Sequence, residues 1–239
     1  MKETAAEAEP AKADAGVSRR ERAVARSLDS ARARAESRLQ RFLDAALELM
    51  NEGELHKDFT VQEVVERSGQ SLRLFYQYFS GKHELLLALF EETVRSTTEI
   101  LRDKIADDDD ALERLHRFVV EYYRVCRPAP GGDPVDWTPT SPMLVDFAQQ
   151  LLTRHPAEAA QAFAPLVSLF GEVLDEAAAA GVIRPGLRSG TIAGMVLEAI
   201  MFNTFSATIG GTSMRVEPAE QAEELWDLIL HGVGTASPP

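Results

Sequence analysis

Residues 60–82, TVQEVVERSGQSLRLFYQYFSGK, constrain the fold more tightly than any other stretch of this chain. Thr60 and Glu63 make a T-x-x-E capping box, which satisfies orphan N–H groups at a helix start. Val61, Val64 and Val65 follow at helical spacing, giving the helix one apolar stripe. Gly69 ends it, because a residue without Cβ turns sharply there at low cost. Ser71 is placed to cap a second short helix over residues 72–78. Two short helices joined by a Gly-containing turn are a helix-turn-helix pattern, whose second helix lies in the major groove of DNA.

The run G-x-S-x-x-x-F-Y-x-Y-F-x-x-K-x-E-L-L over residues 69–86 resembles the DNA-binding head of the TetR (tetracycline-repressor-like) family. Gly69, Ser71, Phe75, Tyr76, Tyr78, Phe79, Lys82 and Leu85 match that pattern position by position. Upstream, Phe42, Ala45, Ala46 and the Phe59-Thr60 pair fit the first helix and the entry to the second. The strong match covers about residues 40–91, and the remainder agrees only in length and helix count. Arg73 and Leu74 depart from the small and hydroxyl residues common before the aromatic pair, so one phosphate contact is missing and Arg73 is placed to compensate. The resemblance implies nine helices, three in the head and six in the body. It also implies a homodimer built through the last two helices as a four-helix bundle. Tyr76 and Lys82 fall where the family holds phosphate.

The net charge of −13 argues at first against a DNA partner, but its distribution removes the objection. Residues 18–41 hold eight Arg against three acids, whereas residues 91–239 carry a net of −12. Phosphate repels the acidic part, which orients the basic N-terminal end toward a duplex; a merely solvated acidic surface is the plainer alternative. One cysteine, Cys126, makes no intrachain disulfide, which fits a reducing cytoplasm. No 18-residue apolar run predicts a membrane span, and the polar N-terminus lacks the apolar region of a signal peptide.

The expected organisation is a disordered or partly helical Arg-rich arm (1–36), a helix-turn-helix domain (37–81), a helical ligand-binding and dimerisation body (82–234) and a short tail (235–239). A weak apolar repeat from Val24 to Leu49 allows one long first helix to about residue 50. The arm either contacts phosphates or the minor groove, or serves as a solvated tail. Further helices are expected at 82–105, 110–127, 143–154, 157–180, 189–209 and 217–230, with Pro165 kinking or dividing the one over 157–180. Residues 107–110 are four Asp, read as a helix cap rather than a metal site. Residues 128–142 hold five Pro and read as a loop. The helix over 189–209 is apolar nearly all round and must be buried, by its own domain or by a partner.

Candidate DNA contacts are Thr60, Gln62, Ser71, Leu72, Arg73, Tyr76, Gln77, Tyr78 and Lys82. Arg73 suits bidentate reading of guanine. Phe75 and Phe79 read as core, and Tyr78 is divided between packing and phosphate contact. Phe118, Tyr122, Trp137, Phe147, Phe170, Met201, Phe202 and Asn203 are candidates to line a ligand cavity, though each suits plain core as well. The scarcity of charge on these faces points to a hydrophobic small-molecule effector. Met195, Phe205, Leu225, Trp226 and Ile229 are the candidate dimer face. The five His are scattered without H-x-x-x-H or H-E-x-x-H spacing, and no nucleophile elbow or P-loop occurs, so no catalytic residue, metal or cofactor is expected. Cys126 reads as a structural thiol.

The chain is thus read as an all-α, cytoplasmic, ligand-responsive transcription regulator. Repression of a palindromic double-stranded operator is the first reading, and activation is open. A helical protein-interaction module is the rival of another class; an enzyme has no support in the sequence.

Overall fold

The computed structural model describes residues 18–52, 58–126, 142–184, 186–209 and 218–233. Among them run nine helices and no strand: α1 (Arg19–Glu52), α2 (Val61–Ser68), α3 (Leu72–Tyr78), α4 (Lys82–Ile105), α5 (Ala111–Cys126), α6 (Pro142–Arg154), α7 (Pro156–Ala179), α8 (Ser189–Ile209) and α9 (Pro218–Val233).

The head is the C-terminal half of α1 with α2, α3 and the start of α4. Its core is aromatic. Phe42 of α1 meets Phe75 edge-on at 5.4 Å and Phe79 at 6.2 Å, and all three rings are buried. The capping box forms as expected: Thr60 Oγ1 accepts from the Glu63 N–H, and the Thr60 N–H donates to Glu63 Oε2 at 2.7 Å. Gly69 takes a left-handed φ of 66° at the end of α2, and Ser71 Oγ accepts from the Leu74 N–H at 3.2 Å to start α3. Gln70 fixes the turn against α1 by donating to the Arg38 carbonyl at 2.7 Å.

The N-terminal half of α1 stands out from the head, with Val24 and Leu28 exposed. The Arg-rich arm is therefore helical from Arg19 and continuous with the first helix of the head. Its sequence allows this, because residues 19–38 are rich in Arg and Ala, which favour helix without needing a buried face.

In the body, α4 packs on α5 and α7, α5 on α8 and α9, and α7 on α6 and α8. Phe118 of α5 stacks flat on Phe170 of α7, with centroids 4.4 Å apart. Asp110 caps α5 by accepting from the Leu112 N–H at 2.9 Å, while Asp108 pairs with Arg117 at 2.6 Å. The acidic run thus caps and braces α5. Pro165 does not divide α7, which continues as one helix of 24 residues. The expected loop over 128–141 lies outside the described residues.

Candidate nucleic-acid interface and effector cavity

The second helix of the head presents Leu72, Arg73, Tyr76 and Gln77 to solvent on one side and buries Phe75 on the other. Leu72 is 42% and Tyr76 57% exposed, so both offer contact surface on this outer side. Tyr76 is held from behind by Phe75, edge-on at 5.4 Å. Among the described residues no acid pairs with Arg73. Thr60 and Ser71 sit exposed at the starts of α2 and α3, both engaged as caps. Gln62 is exposed and donates to Glu66 at 2.9 Å.

Two candidate contacts are placed differently. Tyr78 is half-buried with its ring 6.3 Å from that of Phe42, so it serves the head core. Lys82 is turned inward: its ammonium pairs with Asp58, donates to the Phe59 carbonyl at 2.6 Å and lies 4.1 Å over the Phe59 ring. This fastens the start of α4 to the entry of α2, and any phosphate contact by Lys82 has to compete with it. Glu84 completes the corner by accepting from the Ser80 N–H at 2.6 Å, which holds its carboxyl below the usual range.

The body contains a cavity of about 540 Å³, opening between α7 and α8. Leu152, Pro156, Ala159, Ala160, Phe163, Ala164, Val167 and Ser168 line one side, and Gly194, Leu197, Glu198 and Met201 the other, with Tyr122 beneath. The volume falls within the roughly 300–1,000 Å³ of small-molecule sites. Glu198, exposed at its mouth, is the one charged group among these residues. Burial drives the Tyr122 hydroxyl well above the ordinary tyrosine range, and its neighbour is the Cys126 thiol.

Of the candidate cavity residues, Tyr122 and Met201 line it. Phe118 and Phe170 are consumed by stacking on each other. Phe147 packs between His83, at 5.5 Å, and Phe90, at 6.4 Å. Phe202 and Asn203 face outward, Phe202 with 64% of its surface exposed. Trp137 lies outside the described residues. The sequence did carry a signal for the rest: a cavity needs small residues on facing helices, and Ala159, Ala160, Ala164 and Gly194 supply them.

The candidate dimer face divides too. Met195 is 63% exposed and Leu225 and Ile229 are half-buried. Trp226 is turned inward against His116 of α5, with ring centroids 5.0 Å apart, so it joins α9 to its own body instead of facing a partner. Leu228, two residues on, takes the outward position at 72% exposure. The side chain of Phe205 lies outside the described residues.

His83 and His155, far apart in sequence, come together with Glu158 where α4 and α7 begin, their ligating atoms within 4.8 Å of one another. Motif spacing did not reveal this group, because its members sit on separate elements.

Residues 42–89 match the family of bacterial regulatory proteins named for tetR. An uncharacterised helix-turn-helix transcriptional regulator of Bacillus subtilis, YvdT, is 27% identical over 86 residues, 36% of this chain and 44% of that one. The match thus spans less than half of that relative. Among solved structures, FadR from Bacillus subtilis in complex with stearoyl-CoA superposes with a TM-score of 0.60 at 17% identity, over 81% of this chain and 98% of that one. Thermus thermophilus FadR, a TetR-family repressor in complex with lauroyl-CoA, gives 0.62 at 20% identity, over 84% and 97%. A TetR-family regulator from Pectobacterium atrosepticum gives 0.65 at 16% identity, over 87% and 99%. At these identities the structures establish the all-α fold alone. The family match is carried by the head: residues 42–89 match the tetR family of bacterial regulatory proteins, and the body agrees with it in fold.

Proposed function

We propose that this regulator is a homodimeric repressor that binds a palindromic operator and leaves it when an apolar effector occupies the cavity between α7 and α8. The observation that carries the DNA half is α3, a short capped helix that buries one face and offers Leu72, Arg73, Tyr76 and Gln77 on the other. Arg73 carries the paired N–H donors that suit guanine, and Tyr76 a hydroxyl that suits phosphate, which supports this reading. Exposed arginines of α1 add sequence-independent attraction, while the acidic body keeps the far end away from the duplex.

The effector half rests on the cavity lining, which is apolar apart from Tyr122, Ser168 and Glu198. That chemistry favours a hydrocarbon chain. The fatty acyl-CoA complexes of structurally similar FadR proteins make lauroyl-CoA and stearoyl-CoA the first probes. The effector acts by binding one spacing of the two heads better than the other; equal affinity for both moves nothing. Spacings that depart from successive major grooves, roughly 34–36 Å apart, lose the operator.

Gly194→Leu separates effector binding from DNA binding. A Cβ at Gly194 meets nothing within 4 Å, so the new side chain enters the cavity without displacing backbone. The variant is expected to keep operator affinity and lose release by acyl-CoA. Release unchanged from that of the parent places the effector elsewhere. The rival reading, a head that binds a protein, predicts an affinity that changes little with salt, whereas DNA binding falls steeply.

A further inference from the structure

We propose that His83, His155 and Glu158 bind one divalent transition-metal ion, zinc by donor type, which clamps the first turn of α4 to the first turn of α7. Two imidazoles and a carboxylate form a borderline nitrogen and oxygen donor set of the kind zinc takes. His83 Nε2 lies 2.7 Å from Glu158 Oε2, His155 Nδ1 lies 3.7 Å from Glu158 Oε1, and the imidazole rings are 4.6 Å apart. A tetrahedral ion with ligands at about 2.0–2.2 Å holds its donors about 3.4 Å apart, so side-chain rotation alone brings the three groups to it.

Several features favour a ligating role over a hydrogen-bonded surface pair. His155 stands at the N-cap of α7 yet makes no side-chain capping bond; its ring is turned to Glu158 and His83 instead. Phe147 packs against the His83 ring at 5.5 Å and restricts its orientation. All three side chains keep between a third and a half of their surface exposed, which leaves open positions for water.

The consequence lies in where the ligands sit. His83 follows α3 by a short corner, on the helix that leaves the head. Glu158 and His155 belong to the body. An ion there ties the two parts at their joint.

The test uses the full chain, stripped of metal and titrated with cobalt(II), whose visible absorption reports coordination. One equivalent per protomer is expected to bind saturably and to be displaced by zinc. His155→Asn preserves the His83–Glu158 hydrogen bond and so keeps the corner folded. Removing an outer partner of a metal ligand costs about 10–100-fold in affinity, so removing a ligand itself costs at least about 100-fold. Glu158→Gln is expected to do the same. Zinc is also expected to slow amide hydrogen exchange in the first turns of α4 and α7 together. Absence of saturable cobalt binding overturns the proposal. So does binding that survives His155→Asn, or protection confined to one of the two helices.

Discussion

Arg73 stands exposed on the outer side of α3, and among the described residues no acid pairs with it, so its guanidinium is open to a base edge or an anion. Arg73→Ala is expected to weaken specific binding by about 1–3 kcal/mol and relax preference at one base pair. Tyr76→Phe is expected to weaken all sequences alike, since phosphate carries no base information. Affinities on matched and mutated duplexes distinguish the two. Tyr122 offers a residue-scale test in the body. Its hydroxyl is buried, so its pKa is raised in the fold, whereas the unfolded chain releases the proton near 10.0. The unfolded state then holds fewer protons at alkaline pH, and stability falls as pH rises above about 10. Urea titrations across that range are expected to show a shallower fall for Tyr122→Phe than for the parent.

At the scale of elements, helices were legible where local chemistry names their ends. The T-x-x-E box, Gly69 and Ser71 set α2 and α3 to the residue, because caps act within a single turn. The orientation of α9 was not legible. Trp226, Leu225 and Ile229 share a stripe in the sequence, but contact with His116 of α5 turns the indole inward, and tertiary contacts of this kind leave no local trace. The inward pairing of Lys82 was not legible for the same reason, since Asp58 and Phe59 reach it from another segment. Of the residues named for the cavity, Tyr122 and Met201 line it, whereas Phe118, Phe147 and Phe170 fill space as core; small residues on α7 and α8 leave the cavity open. The arm belongs to this scale. Its described side chains are exposed up to Arg34, so deleting residues 1–36 is expected to leave the fold intact. The deletion is expected to lower DNA affinity and flatten the fall of log K with log salt, by about 0.9 for each phosphate that the arm had neutralised. An unchanged slope assigns the arm to solubility.

At the scale of the whole molecule, one copy leaves apolar surface uncovered. Met195 and Phe202 lie two turns apart on one face of α8, both more than 60% exposed, and Leu228 of α9 is 72% exposed. A helix apolar on every side needs a partner for the side its own body does not cover. A two-fold axis places each such face against its twin, and two-fold symmetry is what a palindromic operator requires. Stable interfaces bury about 800 Å² per partner, more than three side chains supply, so neighbouring residues of both helices must join the contact. Phe202→Asp is therefore expected to give a folded monomer that keeps its helical spectrum and loses the operator, although Phe202 is not part of the head. Trp226→Asp is expected to behave differently. It strips α9 from α5 and costs about 3–5 kcal/mol of stability before any question of pairing arises. Sedimentation decides between these outcomes. A wild-type chain that is monomeric at micromolar concentration and still binds a palindrome tightly defeats the two-fold arrangement, and so does a Phe202→Asp chain that remains a dimer.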